Sequence, residues 1–184
     1  MKLFENRAFA LLCALLIVCG STVMNVDRNV EKRADKAEEL WEARYGVEEQ
    51  LEARCSNASQ LWSILHRYDA LADASLRLRS AYNAIFDTDM DCDEAQRLFT
   101  LNEELKSAAE DAMTAAKDAS LSREDREWAE RYYSNMVNAQ RLLENADYHE
   151  AQREFAEMLD TTYLRILRPF YSDDLPQKFA WPEK

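Results

Sequence analysis

The apolar positions of this chain follow two patterns, a continuous run near the N-terminus and then long stretches at helical spacing. The run, Ala8 to Val26, carries no charge over nineteen residues. At about 1.5 Å per residue it spans roughly 28 Å, against ~30 Å for the hydrocarbon core of a bilayer. This length predicts a transmembrane anchor or signal-anchor over residues 8–26, preceded by a short tail, residues 1–7. A cleavable signal peptide is the competing reading, since Lys2 and Arg7 form a basic n-region and Val18-Cys19-Gly20 precedes Ser21. The absence of an Ala-x-Ala site favours the retained anchor. Leu16-Ile17-Val18-Cys19 has the outline of a lipobox, but Val18 stands where Gly, Ala or Ser is usual.

From Val30 to Tyr68 the apolar residues recur at steps of three and four: Val30, Ala34, Ala37 and Trp41, then Leu51, Cys55, Ala58, Trp62 and Leu65. One stripe of a long helix therefore faces a partner. Gly46 interrupts it at a cost of about 1 kcal/mol relative to alanine, which predicts a bend or a close approach and not an end to the helix. Leu71, Ala74, Leu78, Tyr82 and Ile85 continue the spacing as a second helix or a bent continuation of the first. Asp87 to Glu94 breaks it, and Asp91 with Glu94 has the form of a capping box. Its alternating aspartates resemble the start of a calcium loop, but Cys92 and Leu98 occupy the positions that need glycine and a bidentate glutamate.

A third helix is predicted from Asp93 to Ala119, with Ala95, Leu98, Leu105, Ala108, Ala112, Ala115 and Ala119 inward. Ser122, followed by Glu124 and Asp125, marks the next helix start, a hydroxyl cap with carboxylates at the positive end of the helix dipole. That helix is predicted to run from Arg123 to about Leu167, burying Trp128, Tyr132, Met136, Ala139, Leu143, Ala146, Phe155, Leu159 and Ile166, until Pro169 stops it.

With two glycines and three prolines, and Ala, Leu, Glu and Arg abundant, the chain has little turn chemistry and much helix propensity. The expected fold is all-α: an N-terminal transmembrane helix leading into an antiparallel bundle of three to four long helices over residues 27–169, with a short C-terminal tail, residues 170–184. About 158 residues beyond the anchor suffice for one domain.

The net charge of -12 argues against nucleic acid, whose phosphates need a basic footprint. The expected lipid contact is through residues 8–26, and self-association through the long amphipathic helix is a further expectation. Orientation is contested. Arg28, Lys32, Arg33, Lys36 and Arg44 after the span favour a cytoplasmic body, whereas the short basic N-terminus favours an exported one, and the balance lies slightly on the extracytoplasmic side. Cys55 and Cys92 are expected to be buried thiols, with a disulfide between them as the alternative in an oxidising compartment.

No glycine loop, GxSxG elbow or HExxH sequence is present, and His66 and His149 stand outside any metal-ligand spacing. No catalytic, cofactor-binding or metal residue is assigned, and no enzyme activity is expected. Tyr148-His149-Glu150-Ala151-Gln152-Arg153-Glu154-Phe155 resembles the late-helix signature Tyr-Asn-x-Ala-Val-Arg-x-Tyr-Asn of the LemA proteins, bacterial membrane-anchored helical proteins. Val47-Glu48-Glu49-Gln50-Leu51-Glu52-Ala53-Arg54, followed by Leu61, is similar to that family's early-helix pattern. His149 and Ala156 replace the signature's asparagines, and Asn57-Ala58-Ser59-Gln60-Leu61 replaces a Leu-Ile-Pro-Asn-Leu stretch. The resemblance implies a membrane-anchored scaffold or protein-interaction role at the cell envelope with no defined catalysis. The alternative is a ligand-sensing or solute-binding bundle with Trp62, Tyr82 and Trp128 lining its pocket.

Overall fold

The computed structural model describes residues 28–29 and 32–159, without the side chains of residues 155, 156, 158 and 159. The expected span over residues 8–26, Ile166, Pro169 and the tail lie outside them. Among the described residues, no helix is long and apolar enough to cross a membrane. The chain divides into two compact units at Lys36 and Ala37. Of the first, residues 28–29 and 32–36 are described, and they are helical.

The second unit is a helical bundle, as the periodicity predicts. Its helices are α1 (residues 37–42), α2 (Val47–Leu65), α3 (Ala72–Phe86), α4 (Ala95–Asp118), α5 (Arg123–Glu144) and α6 (Tyr148–Leu159). Single 3-10 turns at Asp69–Leu71 and Cys92–Glu94 lead into α3 and α4. α2 packs most extensively on α5 and α3 on α4. The pairs Tyr68 with Asp125 and Asn57 with Asn135 run in opposite senses along α2 and α5, so these two helices are antiparallel.

The helix expected to pass through Gly46 instead ends at residue 42. Tyr45 adopts the left-handed conformation at φ 66°, the helix-ending position that glycine usually fills, and Gly46 N-H donates to Ala43 O at 2.6 Å. Glycine is required one residue later by space and not by φ, which is -68°. A Cβ at position 46 would lie 2.5 Å from Trp41 O, 2.6 Å from Ala43 O and 2.8 Å from Leu40 O. The close approach is as expected, but the chain makes it by turning.

The last helix is likewise two helices. Asn145 Nδ2 donates to Arg141 O at 2.6 Å, and His149 reaches Leu143 O through Nε2 at 2.7 Å, so side chains occupy carbonyls at the end of α5. Asp147 O then accepts from Glu150 and Ala151 N-H to begin α6. Asn and Asp favour such local backbone bonds over helix continuation.

At α4, the Asp91 carboxylate accepts from Asp93 N-H at 3.0 Å, two residues on, instead of closing the expected box with the third residue; Glu94 lies beside Arg97. Ser122 caps α5 as expected, its Oγ accepting from Asp125 N-H at 3.0 Å. The inner stripe of α5 is Ala129, Met136, Ala139, Gln140 and Leu143. Trp128, expected inside, is 40 % exposed, and Tyr132 and Ala146 are only half-buried. One residue is a 100° rotation on a helix, and the small Ala129 takes the place facing α2. Trp62 is displaced in the same way by Leu61, and Ala115 by Ala116.

Gly46→Ala is expected to lower the unfolding free energy by about 2–3 kcal/mol in a urea melt, since all three clashing atoms are backbone. Tyr45→Gly removes a left-handed side chain and is expected to change stability by less than about 1 kcal/mol. Equal losses in both variants would refute this account of the turn.

Candidate functional site

Asn102 and Gln140 sit where helical spacing calls for apolar residues. Asn102 falls between Leu98 and Leu105 on the inner stripe of α4, and Gln140 lies beside Ala139 and Leu143 on that of α5. Arg54, next to Cys55 on α2, turns inward with them. The three are 1 %, 7 % and 2 % exposed respectively.

They form one line of hydrogen bonds across three helices. Arg54 Nη1 donates to Asn102 Oδ1, Asn102 Nδ2 donates to Gln140 Oε1 at 3.0 Å, and Gln140 Nε2 donates to Glu144 Oε1 at 2.8 Å. Every N-H points from the guanidinium toward the carboxylate, so the two amide dipoles align with the field between the charges and the bonds polarise one another. Among the described residues no carboxylate forms an ion pair with Arg54, and its Nε is buried with no hydrogen-bond partner. Burial pulls its pKa down to about 10, against the opposing influence of Glu103, Cys55, Glu144 and Glu110.

A second buried group gathers around Tyr148, which is fully buried at the start of α6. Trp41 meets it edge-on with ring centroids 5.2 Å apart, and Phe99 lies tilted against it at 6.2 Å. Trp41 Nε1 donates to Met90 O at 2.9 Å, which satisfies the indole. The Cys92 thiol donates to Tyr148 Oη at 3.8 Å, and burial pushes the Tyr148 hydroxyl well above its ordinary pKa. Burial also pushes the Cys55 thiol up to about 12. The two cysteines are separate buried thiols with no disulfide between them, as the primary expectation has it.

At the end of the bundle where α2 leaves and α5 enters, Tyr68 Oη donates to Asp125 Oδ2 at 2.5 Å and accepts from Ser122 N-H at 3.1 Å. Arg67 Nη1 lies 3.4 Å from the other carboxylate oxygen. The Tyr68 bond, then that of Ser122, holds the Asp125 carboxyl below its usual range. Its contribution to stability is therefore present above the unfolded carboxyl pKa and lost as pH falls through the depressed folded value.

The three rings assigned to a ligand pocket are not brought together by any ring contact among the described residues. Tyr82 is buried edge-on against Phe86, Trp62 stacks on His66 with the Arg79 guanidinium 5.0 Å from its ring, and Trp128 stacks on Tyr132 with that of Arg131 at 5.2 Å. An open groove of about 340 Å³ lies elsewhere, lined by Asp93, Glu94, Gln96, Arg97, Thr100 and Leu101. Among the described residues no three or more His, Cys, Asp or Glu are grouped to hold a metal ion.

Fold and site together define an α-helical bundle with a polar line through its core and an aromatic cluster beside it. No protein-family model matches the chain, and no curated protein or solved structure matches it either.

Asn102→Leu strands both Arg54 and Gln140 and is expected to cost about 2–4 kcal/mol in a urea melt. A cost below about 1 kcal/mol would mean that the line is not paired in solution. Tyr68→Phe is expected to move the Asp125 carboxyl back toward its ordinary pKa, read by carbon NMR titration. An unmoved titration would show that the phenol bond does not form.

Proposed function

We propose that this chain is a membrane-anchored helical protein of the LemA type, whose bundle serves as a scaffold for a partner protein at the cell envelope and carries out no catalysis. The anchor in this reading is the uncharged stretch of residues 8–26, held in the lipid as a single-pass helix, with the body on the extracytoplasmic side. The sequence likeness at Val47 to Arg54 and at Tyr148 to Phe155 supports it.

The observation that carries the interaction role is the solvent-facing flank of α5. Trp128 is 40 % exposed there, stacked on Tyr132 at 5.8 Å between ring centroids, with Arg131 over its ring. Trp, Tyr and Arg dominate the binding energy of protein interfaces because each presents large rigid area with a polar end. A helix face bearing them suits recognition by a protein groove or a second helix.

The test is a photo-crosslinking residue at position 128 of the full-length chain in its own membrane, with position 77 on α3 as control. A discrete adduct with one protein is expected at 128 and not at 77, and Arg131→Ala with Tyr132→Ala should remove most of it without lowering the melting temperature by more than a few degrees. Absence of any adduct at 128, or the same adduct at both positions, would refute the interaction role.

A further inference from the structure

The two connections between the pair α2 and α5 and the pair α3 and α4 lie at one end of the bundle. There Tyr68, from the first connection, bonds to Ser122 of the second and to Asp125 in the first turn of α5, and Arg67 pairs with the same carboxylate. The opposite end is closed by one stretch of chain, residues 90–102. Met90 O accepts from Trp41 Nε1, the Cys92 thiol donates to Tyr148 Oη, Phe99 packs on the Trp41 and Tyr148 rings, and Asn102 joins Arg54 to Gln140. Its partners at that end belong to α1, α2, α5 and α6.

The seam that this stretch closes is sparsely packed. α4 lies mainly on α3, and α5 on α2, while α4 touches α5 and α2 much less. Little apolar contact is therefore lost when the start of α4 moves off α5. The side-chain bond that crosses the seam, Asn102 to Gln140, is polar, and water replaces such bonds at small net cost. Arg54 gains by the exchange. It is 2 % exposed, and its buried Nε-H has no acceptor, so water reaching it restores both its solvation and the missing bond.

We propose that the α4–α5 seam is a latch, opening from the end that holds Tyr148 while the end that holds Tyr68 and Asp125 stays closed as its hinge. Residues 90–102 lift away, and the packing of α3 on α2 is kept. The latch does not rest on the interaction role proposed above, which is read at Trp128 on the outer flank of α5.

The two buried thiols report on it. Cys92 lies in the stretch that lifts, whereas Cys55 shares a face of α2 with Trp62, seven residues on, whose ring meets Arg79 of α3. The full-length chain in detergent is treated with excess iodoacetamide at a series of low urea concentrations, and peptide mass spectrometry follows each thiol. Cys92 is expected to react about 100-fold faster than Cys55, which only unfolding of the bundle uncovers. Its rate should rise with urea at less than about half the slope of Cys55, because less surface is exposed. Tyr68→Phe weakens a hinge bond that persists in the open form, so it should raise the Cys55 rate about 5-fold and the Cys92 rate less than about 2-fold. Asn102→Leu should raise the Cys92 rate by about 10-fold or more, and Gln140→Leu by about 5-fold; the second decides the matter if the first does not fold. Equal rates and slopes for the two thiols, or a Tyr68→Phe effect as large at Cys92 as at Cys55, would show that Cys92 is reached only by global unfolding. A Cys92 rate unmoved by the Asn102 and Gln140 variants would show fraying of residues 87–94 alone. Any of these results would overturn the latch.

Discussion

Burying the Arg54 guanidinium removes it from water at a cost of several kcal/mol, and the amide of Asn102 recovers part of that only when α2 and α4 stand in one register. Asn102 in turn needs Gln140 on α5, and Gln140 needs Glu144. A slide of one helix by a turn would leave a cation and two amides in the core without partners. Apolar contacts between Leu, Ala and Met side chains tolerate such slides far better, because they have no direction. The polar line thus ties α2, α4 and α5 to one register, the use of buried polar residues that is best attested in coiled coils.

The aromatic cluster does the corresponding work for α1 and α6. Trp41, Phe99 and Tyr148 come from three different helices, and their ring contacts, two edge-on and one tilted, fix where α6 begins relative to α4. Tyr148 reaches that place because α5 stops at Asn145. The break therefore positions a side chain that a continuous helix would carry onward in the direction of α5. The Tyr45-Gly46 turn has the same role at the other end, since it separates the helix bearing Trp41 from the helix bearing Arg54. Local carbonyl chemistry at two turns thus positions both buried groups.

Both turns show why the periodicity of the chain read well for faces and poorly for ends. Leu51, Cys55, Ala58 and Leu65 are buried as their spacing predicts, and Ser122 caps α5 through the predicted atom. Spacing alone does not register a helix that stops and resumes in nearly the same phase, as happens at residues 43–46 and 145–147. Trp128 and Trp62 were misplaced for a different reason. A large aromatic on the edge of a stripe counts as apolar in the sequence, while packing gives the contact to the smaller neighbour that allows closer approach, Ala129 or Leu61. The polar line was legible in principle, since Asn102 interrupts Leu98 and Leu105 at steps of four and three, but nothing local says that Arg54 and Gln140 meet it.

By itself, the sequence determined the helical class, most of the inward stripes and the cap at Ser122, because each depends on residues within a turn or two of one another. Tertiary structure alone decided the pairing of α2 with α5, the meeting of Arg54, Asn102 and Gln140, the separation of Cys55 from Cys92, and the exposure of Trp128. Those outcomes depend on which helix lies against which, a competition among long-range packings whose energies no local pattern of residues contains.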